Sequence, residues 1–169
     1  MTSLPTATEM ASILTQIRTL ASGAPSLKAL QEGIVAIIAE RLPHYHWSGF
    51  YMLDPGDSET LVLGSYAGEP TPHVRIPVTQ GICGAAAASG QTVVVDDVNR
   101  DPRYLSCSIK TKSEIVVPIY AHGRVVGEID IDSHSPAAFK DADRRFLEEA
   151  AGTVGAYIES HSVTSRYIP

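Results

Sequence analysis

Between Val125 and Asp132 the sequence alternates without a break, Val-Val-Gly-Glu-Ile-Asp-Ile-Asp. A β-strand there puts Ile129 and Ile131 on one face and Glu128, Asp130 and Asp132 on the other. The isoleucine face has to be buried against other elements. The carboxylate face has two readings. Left in water, it is an ordinary solvated side of an antiparallel sheet. If covered, its three acids repel one another, and the face then holds raised pKa values or stabilises a bound cation.

Glu114 bears on this choice through its register. Glu114 to Asp132 reads as two strands around Ala121-His122-Gly123. A three-residue loop with Gly123 in the left-handed conformation places Glu114 opposite Asp130, and a two-residue loop places it opposite Ile131. A glycine at the last loop position suits the first, so Glu114 is expected across from Asp130.

The rest of the chain supplies the elements that would cover such a sheet. Met10, Ile13, Leu14, Ile17 and Leu20 recur at helical spacing, predicting a helix over about 6–22 that Gly23-Ala24-Pro25 closes. Ser26 can cap a second helix carrying Leu27, Leu30, Ile34, Ile37, Ile38 and Leu42, ended by Pro43. The period then changes to two: strands over 46–53 and 60–65 flank Asp54-Pro55-Gly56-Asp57, a turn signal. A short strand over 73–78 leads into Gly81-Ile82-Cys83-Gly84 and a run of alanines read as a short helix, and Thr92 to Val95 forms another strand. Asn99 to Ser113 lacks periodicity and is read as a loop. Residues 136–160 form a closing helix with Phe139, Phe146, Leu147, Ala150, Val154 and Tyr157 inward. Hairpin strands framed by helices predict an α+β domain, with a central antiparallel sheet flanked by N- and C-terminal helices on one face.

At 169 residues the chain is long enough for one domain with a real core. Thirteen Lys and Arg against nineteen Asp and Glu, a net charge of −6, argue against nucleic acid or an anionic membrane as partner. No apolar run reaches the ~20 residues of a membrane helix, and the first ten residues lack the basic and apolar regions of a signal peptide. A cytoplasmic location is therefore expected.

Two cysteines, Cys83 and Cys107, are too few for a disulfide framework and lack C-x-x-C spacing. His44 and His46 alternate, yet no other candidate ligand stands near them, so neither a metal nor a cofactor is expected. Cys107 lies in the loop Tyr104-Leu105-Ser106-Cys107-Ser108-Ile109-Lys110, with Arg103 and Lys112 close by, and neighbouring cations raise a thiolate fraction. It is either reactive or an inert loop cysteine. Cys83 stands near a helix N-terminus, whose dipole favours thiolate, but its small neighbours fit a buried packing role equally well. Trp47, with Phe50 and Tyr51, is a core strand or the aromatic wall of a small-molecule pocket.

Several segments, in this order, resemble a GAF domain, and specifically the free methionine-(R)-sulfoxide reductase family. They are His46-Trp47-Ser48-Gly49-Phe50-Tyr51, Leu61-Val62-Leu63-Gly64, Val74-Arg75-Ile76-Pro77, Gly81-Ile82-Cys83-Gly84-Ala85-Ala86, Ser113-Glu114-Ile115-Val116-Val117-Pro118 and Gly127-Glu128-Ile129-Asp130-Ile131-Asp132-Ser133. The resemblance runs from about Ser26 to Tyr157. It implies a single GAF domain over residues 1–169, with a core over about 26–160 and the N-terminal helix outside it.

The resemblance also implies an activity: reduction of free L-methionine-(R)-sulfoxide, with Cys107 as the nucleophile that becomes a sulfenic acid and Cys83 as the cysteine that resolves it into a disulfide. Glu114, Asp130 and Asp132 match the family's acidic cluster, which holds the substrate ammonium and assists protonation of the leaving oxygen. Trp47 and Tyr51 match the residues that receive the thioether methyl end. A thioredoxin-type reductant and a homodimer are implied with them, the apolar stripe of the N-terminal helix being one candidate contact. Two departures stand out: His73 occupies the place of a third cysteine that many members carry, and Ser108 replaces an aspartate after the nucleophile. Two other readings stay open, a non-catalytic GAF sensor of a small molecule and a module that responds to oxidants in general. A sensor usually needs an output domain, for which a chain of this length has no room, and this favours the enzyme.

Overall fold

Two helices open the computed structural model, which describes residues 4–106 and 108–161. Helix α1 (Ala7–Gly23) starts at Thr6, whose side chain accepts from the Glu9 backbone while the Glu9 carboxylate accepts from the Thr6 N–H, a complete capping box. Helix α2 (Leu27–Arg41) is capped by Ser26, which accepts from the Ala29 N–H at 3.1 Å. Both begin where the sequence places them.

Strands β1 (Trp47–Asp54) and β2 (Asp57–Ala67) form the expected hairpin around Pro55-Gly56, and β3 (Arg75–Pro77) pairs with the middle of β2. Helix α3 (Gly81–Ser89) stops at Gly90, which takes a left-handed φ of 67°. After β4 (Val93–Val95), β5 (Ser113–Ala121) and β6 (Arg124–Ser133) come together as a second hairpin, and α4 (Asp141–His161) follows. Helix α4 begins at Asp141, later than the predicted residue 136. Ala137 has a φ of 49° and its N–H donates to the Asp96 carbonyl at 2.8 Å, which ties residues 134–140 to the sheet end. The first turn forms only where the Asp143 carboxylate accepts from the Lys140 N–H.

Among the described residues six strands join one antiparallel sheet in the order β3-β2-β1-β6-β5-β4. Helices α1, α2 and α4 cover one face, where Phe50, Met52, Ile115, Val117, Ile119, Ile129 and Ile131 are buried among them. The apolar stripe of α1 is spent inside the chain, with Met10, Ile13, Leu14 and Ile17 packed in this core. Helix α3 lies on the opposite face, over a smaller core of Trp47, Tyr51, Ile82, Cys83, Val98 and Val116. The sheet is therefore covered on both sides, where helices on one face were expected. Among the described residues no helix is long and apolar enough to cross a membrane.

The β5–β6 register differs from both expected ones. The turn is a two-residue loop, His122 (φ 51°) and Gly123 (φ 74°), closed by Ala121 opposite Arg124. The pairing then shifts between Tyr120–Val125 and Ile119–Gly127, so that Val126 is an extra residue, a bulge. That insertion moves Glu114 from Ile131 to Asp132. Paired residues share a face, so the bulge is what puts Glu114 with the acids instead of among the isoleucines.

Candidate active site

At the centre of the sheet, β1 pairs Trp47 with Asp132, Gly49 with Asp130 and Tyr51 with Glu128, while β5 on the other side pairs Glu114 with Asp132 and Val116 with Asp130. One face thus carries four carboxyl groups with Trp47 and Tyr51 beside them. The solvated reading of this face fails: Glu128 is 0% exposed, Asp130 3%, Asp132 4% and Glu114 5%. Above them Cys83, in the first turn of α3, donates its thiol to Asp130 Oδ2 at 3.4 Å.

Two loops roof the site. Trp47 Nε1 donates to the Glu69 carbonyl at 3.0 Å and the Tyr51 hydroxyl to the His73 carbonyl at 2.7 Å, which ties residues 69–73 to the aromatic wall. His73 Nε2 lies 2.9 Å from the Ser106 carbonyl, and Lys110 pairs with Glu69 at 2.6 Å, which joins the second loop to the first. Beneath lie two small cavities. One is bounded by Tyr51, His73, Cys83, Leu105, Glu114 and Asp130, and the other, of about 50 Å³, by Trp47, Thr71, Ser108, Thr111, Asp132 and His134. A larger concavity, about 670 Å³ between α2 and β2, is an open surface groove away from these carboxyl groups. Cys107 lies outside the described residues; its neighbours Ser106 and Ser108 belong to the roof just described.

Burial dominates the electrostatics. It pushes Asp130 up to about 6, against hydrogen bonds from Glu114 and Cys83 that favour its charged form. Glu114 is raised well above the usual carboxylate range by burial and then by the charges of Asp130 and Asp132. Asp132 is raised by burial and then by Asp130, and Glu128 by burial foremost. Cys83 is raised well above an ordinary thiol by burial and then by Asp130, Glu128 and Glu114. Desolvation and like charge therefore outweigh the α3 dipole at the Cys83 thiol. Orphan acceptors remain: Asp130 Oδ1, Asp132 Oδ1 and both Glu128 oxygens have no hydrogen-bond partner among the described residues.

The structure thus brings Glu114, Asp130, Asp132, Cys83, Trp47 and Tyr51 to one place. It adds residues that local spacing left aside. Glu128 was legible as a third acid of the strand, but its approach to Cys83 was not. His73 was legible only as a replaced cysteine, whereas here it bridges the two roof loops. Cys83, Glu114 and Asp130 each offer a ligand atom within 4.8 Å of the other two, a metal-compatible set assembled from three elements.

A curled six-stranded sheet of this order, with its site beneath two loops on the α3 side, is the GAF architecture. The GAF domain family profile matches residues 24–159, and the chain belongs to that family. Within it, the chain falls into the free methionine-R-sulfoxide reductase group. It is 36% identical over 130 residues to the free methionine-R-sulfoxide reductase of Escherichia coli, covering 77% of this chain and 76% of the relative. Protein YtsP of Bacillus subtilis is 40% identical over 119 residues, 70% of this chain and 72% of that protein. The crystal structure of the free methionine-R-sulfoxide reductase from Neisseria meningitidis in complex with its substrate superposes with a TM-score of 0.87 at 34% identity, over 94% of this chain and 93% of that one.

Proposed function

We propose that this protein reduces free L-methionine-(R)-sulfoxide to methionine, with the buried carboxyl face beneath Cys83 holding the substrate. The observation that carries the reading is the set of orphan acceptors on Glu128, Asp130 and Asp132, sealed from water. Desolvated carboxyl groups without donors are costly and call for a cation with several N–H bonds to give. The ammonium of a free amino acid supplies three such donors and a positive charge, whereas a methionine within a peptide offers one uncharged amide N–H. Trp47 and Tyr51, stacked with ring centroids 6.3 Å apart, form an apolar wall for the thioether methyl end.

The chemistry follows from which groups keep their protons. Cys107 attacks the sulfoxide sulfur as thiolate, while Glu114 or Asp132, held protonated, donates to the sulfoxide oxygen. The S–O bond breaks, the oxygen ends on Cys107 as a sulfenic acid, and methionine leaves. The Cys83 thiol then condenses with that sulfenic acid, releasing water and forming the Cys83–Cys107 disulfide. A dithiol of thioredoxin type returns both cysteines to thiols. The homodimer, which the family resemblance implies, and the cytoplasmic location, which the sequence reading gives, belong to the same proposal.

The test is amino-acid chromatography after incubating protein and dithiothreitol with the free R epimer, the free S epimer and a peptide carrying the sulfoxide. Methionine from the free R epimer alone is the expected result. No methionine from any of them overturns the reading in favour of a binding module.

A further inference from the structure

The geometry points to a reversible site for a thiophilic divalent cation of the zinc class, formed by Cys83 of α3, Asp130 of β6 and Glu114 of β5. Each offers a ligand atom within 4.8 Å of the others. A tetrahedral zinc, with bonds of about 2.3 Å to sulfur and about 2.0 Å to oxygen, holds such a pair about 3.5 Å apart. Cys83 Sγ and Asp130 Oδ2 stand at 3.4 Å, so a cation can replace the thiol proton with little movement of either group.

A second observation, independent of that spacing, is the unsatisfied charge around it. Asp130 Oδ1 and both oxygens of Glu128, whose carboxyl faces the same thiol, are buried without a partner among the described residues. A divalent ion offsets what burial costs these groups, and the Glu128 carboxyl facing the thiol adds negative charge that favours a cation there. The donor set selects the metal class. One sulfur among oxygens excludes the all-oxygen octahedron that magnesium prefers and suits zinc, which accepts both donors in a tetrahedron.

Binding would turn Cys83 into a thiolate locked on the metal and occupy the carboxyl groups proposed to hold the substrate ammonium. Zinc is then a competitive inhibitor of methionine formation. This consequence rests on the proposed function, whereas the binding itself does not.

The experiment titrates the reduced full-length protein with Co²⁺ under argon, as an absorbing stand-in for zinc. The expected result is a thiolate-to-cobalt charge-transfer band with tetrahedral visible bands, saturating at equimolar metal and bleached by Zn²⁺. Cys83→Ser removes the charge-transfer band, Asp130→Asn weakens binding by roughly tenfold or more, and Cys107→Ser leaves the spectrum unchanged. Circular dichroism shows whether each variant is folded. Absence of the band at millimolar cobalt, or a band that follows Cys107 instead of Cys83, overturns the site. Cobalt binding by a protein that makes no methionine leaves the site standing and removes the functional reading; turnover without cobalt binding does the reverse.

Discussion

Cys83 sits where a thiol is least able to ionise: buried, hydrogen-bonded to Asp130 and facing Glu128 and Glu114. A protonated thiol is a poor nucleophile toward a sulfoxide but an adequate partner for the far more reactive sulfenic acid, which fits the roles proposed for the two cysteines. Cys107→Ser is therefore expected to abolish methionine formation. Cys83→Ser should release one methionine per chain without reductant, keep turning over with dithiothreitol, and stop with thioredoxin as the only reductant; rapid-quench chromatography separates these cases. The neighbouring acids belong to the earlier step of the proposed reaction. Replacing Asp132 by Asn, or Glu114 by Gln, keeps the shape and removes the acid, with an expected loss of about 10²-fold in kcat/KM. Unchanged kcat/KM for both variants would remove them from the chemistry.

The elements that place these residues depend on close approaches that few side chains permit. In α4, a Cβ at Gly155 would lie 2.1 Å from the Tyr120 carbonyl oxygen of β5, whereas one at Gly152, a turn earlier, would meet nothing within 4 Å. Gly155→Ala is expected to cost about 1–3 kcal/mol by forcing the helix off the sheet, and Gly152→Ala to gain about 0.5–1 kcal/mol from helix propensity. Urea titrations of the two variants should move in opposite directions, and equal shifts would show that α4 packs otherwise. Legibility in the sequence follows the same division. The α1 and α2 stripes, the β1–β2 hairpin and the acid alternation of β6 are local patterns, and each could be read. The Glu114 register could not, because one unpaired residue, Val126, shifts the pairing and nothing in its identity marks it as a bulge. Nor could the approach of Cys83 to Asp130, since it joins a helix to a strand 47 positions away.

Across the whole molecule, the buried acids set the direction of the pH dependence. Asp130 is raised to about 6 in the folded chain, and Glu114, Glu128 and Asp132 are raised with it, so the folded state binds more protons than the unfolded one above the ordinary carboxylate range. Stability then falls as pH rises through that window, and below the unfolded pKa values both states are protonated and these groups contribute nothing. Asp143 works in the opposite sense. Burial pushes it up, but the nearby His44 imidazole at 3.5 Å and hydrogen bonds from the Tyr45 hydroxyl and the Lys140 backbone hold it below its ordinary value, so its contribution is present at neutral pH and lost only in strong acid. Glu9, Asp54, Asp57 and Asp101 share that sign, yet Glu9 and Asp57 are exposed and Asp54 and Asp101 are half-buried in surface ion pairs, where water screens much of the effect. The substrate-free protein, treated with chelator, should therefore melt higher at about pH 5 than at about pH 7.5. Asp130→Asn keeps an acceptor for the Cys83 thiol without the charge, and should gain about 1–3 kcal/mol at the higher pH and little at the lower. A wild-type melting temperature that climbs steadily from the lower to the higher pH would refute this assignment. A ligand bringing an ammonium group, as in the proposed function, would let these carboxyl groups ionise in place. Methionine sulfoxide should therefore raise the melting temperature more at the higher pH than at the lower, in Cys107→Ser protein where no turnover consumes it.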